Sequence, residues 1–351
     1  MASFKNLRIK NFRGFDSIEL KGFNRINILM GKNNCGKSSV LEGILLLIGL
    51  HNPTLPSSIN KLRGMQPGQS GFLKSMFHNM DMIAHPVIMG DYDADSFRKL
   101  EIKPILKTSM QGGGSPLVSS PTQDLSGVEL KGITKIQDKE TSSSVSLTIE
   151  GGSETTLFST VSPDGLDGTF ISSHMGEGLS LAMISDLVKK KKDHIVLEAI
   201  QRFDDRVKAI KVLPDGIYLD MEGIDELVQI NAAGDGIRRF LNIVSTIANL
   251  ESKIVLIDEI ENGLHYSAYK LLWQCILVIS EVTNVQLFIT THSMETLKCL
   301  NEILRKESNA KYRDWVNSYT IANTKLKGFQ TYRYNYEGFT NAIENEIEIR
   351  S

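Results

Sequence analysis

Near its start the chain shows short stretches in which apolar and polar residues alternate, the pattern of half-exposed β-strands. This pattern predicts two or three strands, at residues 4–11, 15–20 and 25–30. Beyond Gly31 the apolar residues recur at helical spacing, which predicts a helix that ends near Gly49. The chain therefore begins with a β unit that leads directly into a helix.

The middle of the chain, residues 51–195, has a different composition, with scattered prolines, a glycine run and clusters of serine and threonine. Alternating segments at 144–150 and 156–161 predict antiparallel strands. Residues 111–127 are interpreted as a mobile loop because they are rich in glycine and serine. We interpret the region as an inserted lobe.

Helical spacing returns over residues 179–203, which include a run of four lysines at 189–192. A lysine run is typical of a solvated helix face, and contact with nucleic acid or a protein partner is the alternative. The segments 207–213 and 216–221 then predict a hairpin.

The last third of the chain alternates apolar strands with helices, an order typical of a mostly parallel sheet covered by helices. The predicted strands are residues 254–257, 285–290, 319–322 and 347–349, and the predicted helices are residues 237–250, 267–281 and 294–306. The alternating Tyr332, Tyr334 and Tyr336 indicate one face of an edge strand, although such a patch could also stack on bases.

Because core-like strands occur near both ends of the chain, we expect them to join in one composite sheet. The sequence thus predicts an α/β protein with a mostly parallel core sheet, an antiparallel N-terminal part and an inserted variable lobe. The expected divisions are residues 1–50 and 196–351 for the two halves of the core, and 51–195 for the lobe.

Composition narrows the class of protein. The 351 residues are 41% hydrophobic and 23% charged, with a formal net charge of -2, so no global basic field points to nucleic acid or membrane. The N-terminus lacks the apolar core of a secretory signal, and the longest apolar run, 40–50, is too short to span a bilayer. We expect a cytoplasmic protein.

Cys35, Cys275 and Cys299 have no paired spacing, so neither a disulfide framework nor a zinc site is supported.

The spacing of Gly31 and Gly36-Lys37-Ser38, between an apolar strand and a helix, fits a phosphate-binding loop. Lys37 would reach the β- and γ-phosphates, and the Ser38 hydroxyl would ligate Mg²⁺. A glycine-rich turn that binds nothing is the alternative. The candidate nucleotide-binding residues are Gly31, Lys32, Asn33, Asn34, Cys35, Gly36, Lys37, Ser38 and Ser39. Cys35 is interpreted as a filler position of the loop, because no chemistry there needs a thiol.

Two later strands end in polar residues that complete such a site. Asp258 follows an apolar strand and would hold Mg²⁺ through water or Ser38, while the next residue, Glu259, would act as general base toward the attacking water. His292 follows the next strand and could donate to a γ-phosphate oxygen. The alternatives are a surface turn with two acids and a histidine that serves the core or a helix cap.

The order of these motifs resembles a known family. Residues 10–15 (Lys-Asn-Phe-Arg-Gly-Phe), the phosphate loop, Asp258-Glu259 and Thr291-His292-Ser293 are similar to ABC-type ATPase heads of the SMC, RecF and OLD group. The closest resemblance is to stand-alone OLD-like ATP-binding proteins of the AAA type. It covers residues 4–48 and roughly 200–300, and it implies an ABC-type P-loop NTPase that hydrolyses ATP with Mg²⁺.

The resemblance assigns further residues. Residues 231–237 take the place of the signature motif, in which Gly234, Asp235 and Gly236 would grip the γ-phosphate bound to the opposite subunit. Asn231 departs from the usual opening of that motif with serine.

Two other positions keep alternatives. Arg13 would contact nucleotide, or it is a solvated turn arginine. Residues 261–265, with His265, would communicate between subunits, or they are a plain helix-start turn. The glutamine loop would lie in the middle lobe, where the sequence does not locate it.

By this resemblance the chain would close as a homodimer or larger oligomer around two ATP molecules. Few residues follow His292, so neither a TOPRIM nuclease nor a long coiled coil fits there. The first hypothesis is therefore an ATPase switch that regulates a separately encoded effector, such as a nuclease or toxin in anti-phage defence. The second is a RecF-like clamp on DNA. A transporter subunit, which would need a membrane partner, is disfavoured by the Asn-Phe-Arg-Gly opening and the atypical signature.

Overall fold

The computed structural model describes residues 3–69, 71–109, 122–160, 166–173, 181–251, 253–324 and 326–345. Two large sheets, one of seven strands and one of six, account for most of the strands, and a three-stranded sheet accompanies them. The strand predicted at 347–349 lies outside the described residues. None of the helices in the described part of the chain is long and apolar enough to cross a membrane.

The strands and helices have the following bounds. The strands are β1 Asn6–Phe12, β2 Phe15–Lys21, β3 Ile26–Met30, β4 Val87–Asp91, β5 Phe97–Ser109, β6 Thr122–Ile136, β7 Lys139–Glu150, β8 Ser153–Thr160, β9 Gly168–Ile171, β10 Val207–Leu213, β11 Gly216–Met221, β12 Val228–Gln229, β13 Ile254–Ile257, β14 Gln286–Thr290, β15 Val316–Thr324 and β16 Gly328–Tyr334. The helices are α1 Lys37–Ile48, α2 Leu55–Leu62, α3 Leu181–Lys189, α4 Asp193–Phe203, α5 Asp235–Asn249, α6 Tyr269–Thr283, α7 Met294–Arg305 and α8 Tyr336–Glu344. Short 3₁₀ turns lie at 74–76, 78–80, 230–232, 266–268 and 307–315.

The seven-stranded sheet has the order β2-β1-β4-β5-β6-β7-β8 and is antiparallel. The strands predicted at 144–150 and 156–161 are confirmed as parts of β7 and β8 as far as residue 160, the last described residue there. Residues 111–121 of the predicted mobile loop lie outside the described residues, and the prediction is wrong over residues 122–127, which belong to β6. Their pairing with β5 supplies backbone hydrogen bonds that a local reading of the sequence does not reveal.

The six-stranded sheet has the order β16-β15-β3-β14-β13-β9. All neighbours are parallel except β16, which runs antiparallel to β15 at the edge. β3, from near the start of the chain, lies between β14 and β15 from the last third, so the predicted composite sheet is confirmed. The expected edge strand is β16, which carries Tyr332 and Tyr334; Tyr336 lies one residue past Asn335, in α8.

Most residues of β3, β13 and β14 are apolar, because both faces of this sheet are buried. Leu29, Leu256 and Phe288 face a core shared with α1 and the antiparallel sheet. Residues one position away, such as Ile28 and Ile257, face a second core built with α5, α6 and α7. α1 is therefore buried between the two sheets.

The segment predicted to be helical, residues 179–203, forms two helices over its described part, α3 and α4. Lys191 has a left-handed backbone with φ 56°, which ends the first helix within the lysine run. Lys190 pairs with Asp186 at 2.7 Å, and Lys192 pairs with Glu251. Lys189, Lys190 and Lys191 are exposed, as expected of a solvated run, but only Lys189 lies in a helix and the others form the turn before α4. The hairpin predicted at 207–213 and 216–221 is confirmed as β10 and β11.

Candidate functional site

The loop between β3 and α1 has the backbone of a phosphate cradle. Gly31, Asn34 and Gly36 have positive φ angles of 146°, 63° and 92°. A Cβ on Gly31 would lie 2.5 Å from the backbone oxygen of Ile321, so only glycine fits this close approach. The loop ends at the N-terminus of α1, where unpaired backbone N–H groups favour an anion.

Lys37 is held against the inside of this loop. Its buried Nζ donates hydrogen bonds of 2.9 Å to the backbone oxygens of Gly31 and Lys32. These two bonds hold the ammonium over the turn that would carry phosphate oxygens. Lys37 thus has the location expected of a phosphate-binding lysine.

The Asp258 carboxylate joins the two distant halves of the sequence. Its Oδ1 accepts a 3.0 Å hydrogen bond from the Ser38 hydroxyl and a 2.6 Å bond from the hydroxyl of Thr290. A hydroxyl and a carboxylate side by side are the hard oxygen donors that Mg²⁺ prefers. In the described residues no three His, Cys, Asp or Glu side chains cluster as a metal site. A cation here would therefore depend on Ser38, Asp258 and the phosphates themselves, which is usual for Mg²⁺ with a nucleotide.

Glu259, the next residue, has an unusual backbone. Its φ of 46° is left-handed, a conformation that costs roughly 1 kcal/mol or more for a residue with a side chain. Its N–H donates a 2.7 Å hydrogen bond to the Thr290 hydroxyl, which is thereby shared between both acidic residues. The turn re-aims the Glu259 side chain relative to that of Asp258, and both line the same cleft.

Arg239 of α5 supports this turn from behind. Its buried guanidinium donates hydrogen bonds of 2.6 Å to the backbone oxygen of Ser172, 2.7 Å to that of Asp258 and 3.2 Å to that of Glu259. Burial lowers the pKa of Arg239, and the carboxylates of Asp258, Glu261 and Glu259 counteract this. Sequence reasoning missed Arg239, since its partners are backbone atoms of distant segments.

His292 follows β14 at the same edge of the sheet. One oxygen of Glu261, Oε1, lies 2.8 Å from the His292 backbone nitrogen and 3.0 Å from its Nδ1. The His292 side chain is 48% exposed, whereas that of Glu261 is buried. His292 lies outside the lining of the cleft, one strand away from the phosphate loop.

Arg13 is neither solvated nor available in its present position. Its buried guanidinium donates to Glu42 at 3.0 Å, to the Ser75 hydroxyl at 2.8 Å and to the Asn60 amide oxygen at 2.7 Å. Burial lowers its pKa, and the Glu42 carboxylate opposes that effect. The side chain lines the cleft, but its polar atoms are used by the protein.

Sequence reasoning missed the second arginine of this cluster. Arg63 donates at 2.6 Å to the other oxygen of Glu42 and at 3.2 Å to the Ser39 hydroxyl. Its side chain is 39% exposed and lines the cleft beside the phosphate loop. The available signal was Glu42, a carboxylate inside the apolar pattern of α1, which needs a buried partner.

These residues enclose a cleft of about 770 Å³, a size suited to a nucleotide. The predicted site residues that line it are Arg13, Asn33, Asn34, Gly36, Lys37, Ser38, Ser39, Asp258 and Glu259. Glycines with positive φ, a buried lysine and a hydroxyl–carboxylate pair are a donor set that fits a nucleotide with Mg²⁺.

The residues expected in the signature motif lie elsewhere. Gly234 is the N-cap of α5 and has no side-chain cap, and the helix begins at Asp235. Gly234 and Asp235 are exposed, and Gly234, Asp235 and Gly236 are absent from the lining of the cleft. The exposed His265 contacts the Ser267 hydroxyl at 2.9 Å, within its own turn.

Two family models match the chain, one on each half of the site. The model described as "AAA ATPase domain" matches residues 3–101, which contain the phosphate loop. The model described as "AAA domain, putative AbiEii toxin, Type IV TA system" matches residues 166–298, which contain Asp258, Glu259 and His292.

A curated relative spans nearly the whole chain. An ATP/GTP phosphatase of Helicobacter pylori is 25% identical over 335 residues, 87% of this chain and 90% of its own length. Among solved structures, an SMC head with an extended coiled coil from Pyrococcus furiosus, bound to the C-terminal domain of ScpA, is 11% identical with a TM-score of 0.48 and full coverage of both chains. The SMC head of Thermotoga maritima is 12% identical with a TM-score of 0.39, covering 95% of this chain and 98% of its own. These superpositions are loose, and the fold rests on the strand order and loop of this chain.

Proposed function

We propose that this chain, an ATPase of the ABC/AAA type with SMC/RecF-like organisation, is a switch that closes as a homodimer around two nucleotides. One observation carries the proposal: the site is divided. The phosphate loop, Asp258 and Glu259 meet in one cleft, whereas the exposed N-terminus of α5 at Gly234 lies outside it. A second copy can bring that helix N-terminus to the γ-phosphate, where its N–H groups would bind the anion.

Within each cleft the roles follow from the contacts. The backbone of the phosphate loop and Lys37 would bind the phosphates, and Ser38 and Asp258 would hold Mg²⁺, an ion that supplies positive charge against the phosphates. Glu259 accepts the proton of the attacking water. His292 binds the γ-phosphate from the neighbouring strand.

Closure depends on ATP because only the γ-phosphate links the two copies through α5. Hydrolysis removes that differential binding, and the dimer opens. Arg239 supports this coupling, since it belongs to α5 and holds the backbone of Asp258 and Glu259 in the same copy.

The output of the switch is regulation of a separately encoded effector, such as a nuclease or toxin in anti-phage defence. The family model that matches residues 166–298 describes a toxin of a type IV toxin–antitoxin system, which supports this class of output. The net charge of -2 gives no support to a DNA clamp, and the ion pairs of Lys190 and Lys192 occupy much of the lysine run.

The first test measures mass by light scattering for Glu259→Gln with and without ATP and Mg²⁺. We expect ATP to convert the variant from monomer to dimer, because it binds ATP but cannot activate water. Lys37→Ala is the matched control and should remain monomeric. A Glu259→Gln protein that binds ATP without any change of mass would contradict the dimer.

A second test mixes two inactive proteins, Lys37→Ala and Gly234→Glu. A side chain at Gly234 meets no atom within 4 Å, so the second variant should fold. Each mixed dimer would hold one intact site, and random pairing should restore about a quarter of the parental activity. No recovery would overturn the composite site. Salt-dependent DNA binding that requires ATP would favour the clamp instead.

A further inference from the structure

Glu261 makes an unusual double contact with His292. Its Oε1 accepts from the His292 backbone N–H at 2.8 Å and lies 3.0 Å from the ring Nδ1. Because one oxygen meets both the main chain and the imidazole, it fixes the position of the backbone and the direction of the ring together. Glu261 follows β13 and His292 follows β14, so the contact bridges the ends of two adjacent parallel strands.

The second oxygen of Glu261 sets this carboxylate apart from an ordinary buried acid. Oε2 is buried and has no hydrogen-bond partner among the described residues. Burying an unsatisfied carboxylate oxygen is costly, and a functional role is one explanation for such a group in a native protein. Two further ionisable groups interact with Glu261: the Arg239 guanidinium on α5, and the neutral phenol of Tyr269 on α6, whose pKa is raised by burial and by the Glu261 charge.

The contact also determines the chemistry of the ring. A carboxylate accepts hydrogen bonds, so the proton shared with Glu261 belongs to Nδ1 of His292. With Nδ1–H fixed in this way, Nε2 can donate to a phosphate oxygen only as the imidazolium. An imidazolium that donates in this way would lie between two anions, Glu261 and the γ-phosphate.

We propose that Glu261 is a positioning residue of the ATPase, which sets the ring orientation and the tautomer of His292. This inference rests on the role given to His292 in the proposed function. In this assignment Glu261 supports His292, and Glu259 accepts the proton of the attacking water.

The test compares kcat and KM for ATP in Glu261→Gln, His292→Ala and the double variant. We expect Glu261→Gln to lower kcat roughly tenfold, because a neutral amide cannot hold an imidazolium as a carboxylate does; partners of metal-binding histidines have effects of this order. KM should stay within about twofold, since the phosphate loop is untouched. In the His292→Ala background, Glu261→Gln should have no further effect. Glu302→Gln, an exposed glutamate of α7 paired with Lys270, is the matched control.

A structural role would give a different result. Glutamine keeps the shape and one acceptor, so the unfolding midpoint of Glu261→Gln should match that of Glu302→Gln. A large loss of Tm, an unchanged kcat, or effects that add in the double variant would overturn the proposal.

The unmutated protein provides a measurement that needs no stable variant at residue 261. Proteins labelled with ¹⁵N-histidine, compared with His292→Ala for assignment, should show the His292 proton on Nδ1. A proton on Nε2 alone would overturn the inference. Light scattering separates this failure from that of the proposed function: if Glu259→Gln still dimerises with ATP, the switch stands without Glu261.

Discussion

The Ser38 hydroxyl donates a 3.0 Å hydrogen bond to the carboxylate of Asp258, a residue 220 positions later in the chain. The same oxygen accepts from Thr290, so one carboxylate gathers the ends of β13 and β14 and the start of α1. Three segments that are distant in the sequence thereby form a single site.

The first prediction concerns Asp258→Asn. The amide oxygen can still accept from Ser38 and Thr290, so the fold should persist, but the charge that attracts Mg²⁺ is lost. Because a metal ion contributes several kcal/mol to stabilisation of the transition state, we expect ATPase activity to fall by on the order of a hundredfold. Activity measured against Mg²⁺ concentration checks this, with Asp314→Asn, an exposed aspartate, as the control. Parental activity at low Mg²⁺ would contradict it.

The second prediction separates the two arginines that bind Glu42. Arg13 is buried, and its removal leaves Glu42 with one partner, so Arg13→Gln should cost about 3 kcal/mol of unfolding free energy. Arg63 is partly exposed, so Arg63→Gln should cost less than about 1 kcal/mol but raise KM for ATP, because Arg63 borders the phosphate loop. Denaturant unfolding and ATPase assays on both variants provide the comparison. An Arg63→Gln variant less stable than Arg13→Gln would refute this division of roles.

The third prediction concerns Arg239→Lys. Lysine keeps the charge, but it lacks the planar fork that reaches three backbone oxygens. We expect a loss of about 2 kcal/mol in stability and a fall in kcat, because Glu259 loses support for its left-handed backbone. Arg202→Lys, an exposed arginine of α4, is the control. An Arg239→Lys enzyme with normal kcat would show that the backbone turn at Glu259 does not depend on the guanidinium of residue 239.

The fourth prediction concerns alkaline pH. Burial raises the pKa of Tyr92 to about 12 from its ordinary value near 10. Between these values the unfolded chain loses the proton and the folded chain keeps it, so stability falls as pH rises, by up to about 2–3 kcal/mol from this group. Tyr92→Phe should flatten that part of the curve of unfolding free energy against pH. An unchanged slope would assign the effect to other groups, such as the buried Tyr319, whose pKa is also raised by burial.

The sequence predicted the elements whose reasons are local. The hairpin of β10 and β11, the apolar strands β13 and β14, and the loop ending at Lys37 each carry their own periodicity or spacing. The meeting of Ser38 with Asp258 also followed, because parallel strands bring their carboxyl ends to one edge of a sheet.

The sequence could not predict features that depend on distant backbone. Arg239 binds carbonyl oxygens, which leave no trace in residue identity. The positive φ of Lys191 divides a segment whose apolar spacing reads as one helix. The role of Arg13 as partner of Glu42 needed the three-dimensional neighbourhood, and its contact with nucleotide stays a prediction, as do the domain divisions at residues 50 and 195.

The position of β3 has a consequence for synthesis of the protein. This strand carries the phosphate loop, yet both of its neighbours, β14 and β15, come from the last third of the chain. A nascent chain therefore carries a mostly apolar strand without its partners until those neighbours emerge from the ribosome. Asp258 also reaches Ser38 only after most of the chain has been synthesised. The ATPase site is thus one of the last parts of the protein to be completed.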